Sequence, residues 1–318
     1  MLAHLRLTVP TELSEAVVDL LVRHDRATNV TLQRGASLVP EGDLVECDVA
    51  RELTGDVLTH LKELGLGERG GILVSTPAAW PFAEARRLEQ LAPGDPDDAV
   101  IWDSVIDKAF AAARPTVTFH VFLVLAVLLA AIAVITDSSV LVIGAMVVGP
   151  EFATVAAVAL GVVFGRWGLA FRALRLLVLG FAVAVLVVSV LAVVAALTGL
   201  VTSEMVSRPR PQTGFIWHPD RWSFIVALIA GAAGVLALST EQANAMVGVF
   251  ISVTTVPAAG NLALALGTWT ESEITGSLAQ LLVNLGGMLL AGAVVLGLQR
   301  LLWHRVSAAS ERLFFRGT

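Results

Sequence analysis

The sequence predicts an α-helical membrane protein with a small soluble α+β domain at its N-terminus. Three observations predict this class: 56% of the 318 residues are hydrophobic, only 15% are charged, and the long apolar segments all follow residue 116. Ordinary soluble domains contain about 25% charged residues. The lipid bilayer is therefore expected to be the main partner of this chain.

Charge is divided unevenly along the chain. Residues 1–114 hold 19 of the 27 acidic and 11 of the 21 basic residues, a net charge of −8, whereas the rest carries about +2. An acidic domain without a basic run disfavours nucleic acid as a partner. Cys47 is the only cysteine, and the histidines are scattered, so neither a disulfide nor a metal site is expected.

The soluble part, residues 1–78, shows the order strand, helix, strand, strand, helix, strand. Residues 2–9 alternate as a strand does, residues 12–26 and 54–64 have helical spacing, and Pro40-Glu41-Gly42 separates two strands as a hairpin turn would. This order is that of the ferredoxin-like, split βαβ fold. Residues 79–115 are interpreted as a linker with short helices.

Six apolar segments in residues 116–306 are each long enough to cross about 30 Å of hydrocarbon. They are residues 119–135, 140–164, 171–197, 222–238, 243–266 and 276–302. The first residues do not have the pattern of a secretory signal, so we expect the N-terminus to stay in the cytoplasm. Nine basic residues then lie on the N-terminal side of the membrane and three on the opposite side, which supports this orientation. We therefore expect a bacterial inner-membrane protein with a cytoplasmic N-terminus and a cytoplasmic tail, residues 307–318.

The six segments resemble a 3+3 inverted repeat. The second segment contains Gly149-Pro150 and the fifth contains Pro257, each after an Ala-Met pair. Because each unit has three spans, the second unit enters the membrane from the opposite side and is inverted relative to the first. Interrupted helices at matching positions of inverted repeats are typical of transporter sites, although a proline kink between packed helices would look the same.

Glu151 is the most distinctive residue, because an ionisable side chain near the middle of a span must face a cavity or a partner. It could take up a proton, bind a cation or solute, or only stabilise the break. Thr254, Thr255 and Asn261 flank Pro257 and could share a site with Glu151, Pro150 and Gly149, or join packed helices. Asp137 and Glu241, at span ends, are gate candidates.

No phosphate-binding loop, nucleophile elbow or haem motif is present, so neither an enzyme nor a cofactor is expected. The sequence Gly144-Ala145-Met146-Val147-Val148-Gly149-Pro150, with residues 241–256 leading into Pro257-Ala258-Ala259-Gly260, resembles the domain of unknown function 389 family of prokaryotic hydrophobic membrane proteins. The resemblance implies no particular substrate or activity.

The combined features predict a transporter- or channel-like protein for a small solute or ion. The soluble domain would regulate it or support a homo-oligomer, to which the glycine-rich helix faces could also contribute. The alternative is a membrane-anchored sensor whose soluble domain binds a small ligand and which transports nothing.

Overall fold

The computed structural model describes residues 1–22, 27–92, 99–239 and 255–314, with side chains as far as residue 302. It contains two compact units, one including Met1–Val105 and the other formed by Ile106–Leu301.

The first unit is built around an antiparallel sheet. Its strands are β1 (Leu2–Val9), β2 (Ala27–Leu38), β3 (Glu41–Ala50) and β4 (Gly71–Ser75), in the order β2-β3-β1-β4. A 3-10 turn (Thr11–Leu13) and α1 (Ser14–Val22) follow β1, while α2 (Arg51–Glu63) and the short α3 (Leu66–Arg69) lie between β3 and β4. Strand β1 coincides with the predicted residues 2–9, whereas β3 already begins at Glu41, inside the predicted Pro40-Glu41-Gly42 turn.

Both α1 and α2 contribute to the core that covers the sheet. Leu5 and Leu7 of the central strand β1 are fully buried, together with Val17 of α1 and Leu61 of α2. A smaller cluster joins Leu2 and Ala50 to α4 (Ala83–Leu91). Part of the predicted linker therefore packs against the sheet.

The second unit is helical. Its helices are α5 (Trp102–Ala112, which begins in the first unit), α6 (Val117–Thr136), α7 (Ser139–Val148), α8 (Glu151–Val163), α9 (Trp167–Leu197), α10 (Ser203–Ser207), α11 (Arg221–Ser239), α12 (Thr255–Thr268) and α13 (Glu271–Phe314), with a 3-10 turn at Gly214–Trp217.

Four of these helices are long and apolar enough to cross a membrane, or five spans result if α7 and α8 form one bent span. The four are Val117–Thr136, Trp167–Leu197, Arg221–Ser239 and Glu271–Leu302. The first half of the predicted fifth span, residues 243–254, lies outside the described residues, and its second half lies in α12. The described helices indicate a membrane-spanning protein.

Tryptophans lie at the ends of the spans. Trp167 begins α9, Trp222 is in the first turn of α11 and Trp269 follows α12, and their exposed fractions are 68%, 72% and 81%. Exposed tryptophan is enriched where a membrane protein meets the headgroup layers. These positions agree with an apolar belt between the two ends of the unit.

Helix α12 lies at the centre of the second unit. It packs between α6 and α9, and 12 of its 14 residues are buried. Small side chains permit this close packing, because a Cβ atom on Gly260 would lie 2.6 Å from Cβ of Ala130 and 2.8 Å from the backbone nitrogen of Ala131. A helix buried on every side can hold polar residues only where neighbouring helices supply partners.

Gly260→Ala should lower the thermal stability of the detergent-solubilised protein, because the added methyl group would force α12 away from α6. Overpacking of this kind costs about 1–3 kcal/mol. The matched control is Gly286→Ala in α13, where no atom of the described residues lies within 4 Å of the new Cβ. Equal melting temperatures for the two variants would contradict the close α6–α12 contact.

Cys47 should be unreactive in the folded protein. Its side chain is fully buried on β3, and burial, with a smaller effect of neighbouring Asp48, raises the pKa of its thiol to about 12. Only the thiolate reacts readily, so maleimide labelling at pH 7.5 should require denaturant. An exposed cysteine introduced by Ala36→Cys in a Cys47→Ser background should label at once, and rapid labelling of native Cys47 would refute the buried position.

Candidate functional site

The predicted break in the second span is present between α7 and α8. Gly149 has an extended backbone (φ −65°, ψ 125°) at the end of α7, Pro150 precedes α8, and the two helices are bent by 56°. Proline cannot donate a backbone hydrogen bond and sterically opposes continuation of the preceding helix. These two residues therefore end α7 and allow a new helix to begin.

Glu151 is the first residue of α8 and is 1% exposed. The first backbone N–H groups of a helix lack partners within the helix, and the N-terminal end of the helix dipole favours a carboxylate. The break therefore provides a favourable electrostatic environment for a buried acidic side chain. The same chain segment creates the break and places the carboxylate beside it.

The hydroxyl of Thr255 donates a hydrogen bond of 3.2 Å to Oε1 of Glu151. Thr255 is fully buried in the first described turn of α12, and buried Pro257 lies two residues further along the same helix. The segment of Gly149 and Pro150 and the segment of Pro257 therefore meet through one buried side-chain contact. We call Glu151 and Thr255, with the flanking Gly149, Pro150 and Pro257, the break site.

The described contacts of the Asn261 side chain do not involve Glu151 or Thr255, and the residue belongs to a second buried cluster. Its Oδ1 accepts from Nη1 of Arg210 at 2.8 Å, and its Nδ2 donates to Glu273 at 3.0 Å and to Oγ of Ser277 at 2.8 Å. Nη2 of Arg210 donates to Oε2 of Glu273 at 2.7 Å. We call Arg210, Asn261, Glu273 and Ser277 the ion-pair cluster.

The ion-pair cluster is nearly inaccessible to solvent. The side chains of Arg210 and Glu273 are 1% and 3% exposed, and Asn261 and Ser277 are fully buried. Two opposite charges with bridging hydrogen bonds offset the penalty of burial, whereas one of them alone would not. The cluster joins α12 and α13 to the segment between α10 and α11.

Asp137 holds that segment in place. It ends α6 in a left-handed conformation (φ 49°), and its Oδ1 accepts from the backbone N–H of Gln212 at 3.2 Å and from the backbone N–H and hydroxyl of Thr213, both at 2.9 Å. Asp137 was predicted as a gate candidate, and in the structure it anchors the segment that carries Arg210. The other gate candidate, Glu241, and the site candidate Thr254 lie outside the described residues.

Arg210 and Glu273 were not predicted as site residues, because both lie outside the six predicted apolar segments. A signal was present, however. Glu273, Ser277, Gln280 and Asn284 are spaced by four, three and four residues, which places them on one face of a helix. All four are buried. Among the described residues, no group of three or more potential metal ligands is present.

Arg210→Met should destabilise the protein by about 3–5 kcal/mol, because it leaves the Glu273 carboxylate buried without its guanidinium. Adding Glu273→Leu should restore most of this loss, as measured by thermal unfolding in detergent and a double-mutant cycle. Arg221→Met, which removes an exposed arginine at the start of α11, is the control. Additive effects of the two cluster substitutions would refute the coupling.

Comparison with known proteins gives one match. Residues 146–290 match a family model described as Domain of unknown function (DUF389). A search of curated proteins and a search of solved structures each found no match. The matched range begins in α7 and ends in α13, so it contains the break site and the ion-pair cluster. The match confirms the resemblance predicted from residues 144–150 and 257–260, and over residues 146–290 it supports assignment to the DUF389 family.

Proposed function

We propose that this protein is a transporter- or channel-like membrane protein that conducts a proton or a small cation, alone or with a solute, through the break site. The observation that carries the proposal is the hydrogen bond between Thr255 and Glu151, 104 residues apart in sequence. It joins an interrupted span to a helix that carries the second proline. We propose that the fifth span is likewise interrupted near Pro257, and paired interruptions of this kind are typical of transporter sites.

The break site has suitable chemistry for a cation. A carboxylate and a threonine hydroxyl supply oxygen atoms, and a break in a span leaves backbone carbonyls without helical partners. An acidic side chain within a membrane is costly unless it is protonated, paired or hydrated. Binding and release of a proton or cation at Glu151 would change this balance and alter its contact with α12.

The proposed architecture has six spans, with the fifth made of residues 243–254 and α12. The halves would be related as an inverted repeat, with the breaks at Pro150 and Pro257. Basic residues near the N-terminal side support cytoplasmic termini in a bacterial inner membrane. We interpret the strand order β2-β3-β1-β4 as ferredoxin-like, and assign the soluble domain a regulatory or oligomerising role.

Glu151→Gln should reduce proton or monovalent-cation flux at least tenfold, because it removes the titratable group and keeps the shape of the side chain. The full-length protein would be reconstituted in liposomes that contain a pH-sensitive dye, and flux would be started by a Na⁺, K⁺ or pH gradient. Glu204→Gln, which alters an exposed carboxylate of α10, is the matched control and should leave flux unchanged.

Thr255→Ser and Thr255→Val provide a second comparison, since only serine retains the hydroxyl that reaches Glu151. Serine should preserve flux and valine should reduce it. Equal flux in wild type and Glu151→Gln would contradict a role for the break site. The absence of flux with every ion tested would instead favour the membrane-anchored sensor.

A further inference from the structure

One face of α13 carries a continuous row of buried polar residues. Glu273, Ser277, Gln280 and Asn284 follow one another at intervals of four, three and four residues, and each is buried. At 1.5 Å per residue the row extends about 16 Å along the helix. It therefore begins near the start of α13 and ends well inside the apolar span.

The first half of the row is fully engaged. Glu273 pairs with Arg210, and Ser277 accepts from Asn261. Because the charges of Arg210 and Glu273 offset each other, this half presents no net charge to the rest of the row.

The second half of the row is different. Nε2 of Gln280 donates to Oδ1 of Asn284 at 3.3 Å, so the two carboxamides bond to each other within one helix. Oε1 of Gln280 and Nδ2 of Asn284 are buried and have no hydrogen-bond partner among the described residues. We call Gln280 and Asn284 the amide pair.

Two carboxamides joined by one N–H···O bond leave one carbonyl oxygen and one amino group without a partner in the pair, whichever way each group is turned. Leaving a buried donor or acceptor unsatisfied costs about 1–3 kcal/mol. Polar residues that only join helices direct their hydrogen bonds to a neighbouring helix, whereas the amide pair directs its one described bond along its own helix. The remaining donor and acceptor are thus complementary to a small molecule with one acceptor and one donor.

We propose that the amide pair is a hydrogen-bonding subsite for a small uncharged solute with an amide or hydroxyl group. This inference rests on the proposed transport function and names the class of solute that would accompany the proton or cation. An uncharged solute fits best because the row's only charged residue, Glu273, is seven residues from Gln280 and already paired with Arg210. The pair supplies a donor and an acceptor and no charge.

The double variant Gln280→Leu/Asn284→Leu tests the subsite. Full-length protein in liposomes would be exposed to acetamide or glycerol gradients, and solute entry would be followed by light scattering. Wild type should admit at least one of these probes, and the double variant should admit it at least tenfold more slowly. Thr275→Val, which removes an exposed hydroxyl from the same helix, should match wild type.

Thermal unfolding separates a solute site from a structural contact. Replacing unsatisfied buried amides by apolar groups of similar size should leave the melting temperature unchanged or raise it, and acetamide should raise the melting temperature of wild type more than that of the double variant. A double variant that melts lower or fails to fold would show that the amides stabilise the bundle, and would overturn the proposal.

Two further outcomes would also overturn it: equal entry of both probes into wild-type and double-variant liposomes, or a loss of water permeability alone, which would identify water as the partner. The flux assay with Glu151→Gln separates this failure from failure of the proposed function. If Glu151-dependent flux persists while neither acetamide nor glycerol enters, only the solute subsite is wrong. If both are absent, the transport function is wrong as well.

Discussion

Hydrocarbon offers no hydrogen bonds, so an interrupted helix within a membrane requires partners from the protein, water or a bound molecule. The need for such partners is greatest at the Gly149-Pro150 break, because the ends of α7 and α8 carry unpaired backbone groups there and the Glu151 carboxylate lies beside them. The contact with Thr255 makes α12 one of those partners. The close packing of α12 against α6 and α9 follows from the same requirement, since only a helix of small residues can approach closely enough.

In the ion-pair cluster, buried charge is stabilised by an opposite charge and not by a helix end. Arg210 comes from a segment between helices, yet its side chain is almost fully buried against α12 and α13. That position depends on Asp137, which binds the backbone of Gln212 and Thr213 and so fixes the chain just after Arg210. A residue at the end of one span therefore controls where a cation from a distant segment is placed.

The local pattern of apolar, polar and turn residues was sufficient to predict much of the fold. Alternation predicted β1 at its observed bounds, and the predicted interruption at Gly149-Pro150 is where α7 ends and α8 begins. The burial of Arg210 was not predictable in this way, because hydropathy describes a segment and not the direction in which it folds back. By its composition, the segment that carries Arg210 was expected to lie in water, outside the apolar spans.

The splitting of the predicted site has a geometric cause. Thr255 and Asn261 both flank Pro257, which suggested a shared site, but six residues at 100° per residue turn a helix by 600°, so their side chains point about 120° apart. Thr255 consequently faces α8 and Asn261 faces α13. Sequence proximity within a helix is a poor guide to a common site unless the spacing is three or four residues.

Because Thr255 and Asn261 point in different directions, α12 connects the break site with the ion-pair cluster. It bonds to Glu151 through Thr255 and, about 9 Å further along its axis, to the Arg210–Glu273 pair through Asn261. A displacement of α12 large enough to separate Thr255 from Glu151 would have to break the Asn261 bonds or carry α13 and the Arg210 segment with it. Breaking those bonds would weaken a buried ion pair, which is costly in a medium of low dielectric constant. Concerted movement of α12 with α13 is therefore the less costly response to a change of charge at Glu151.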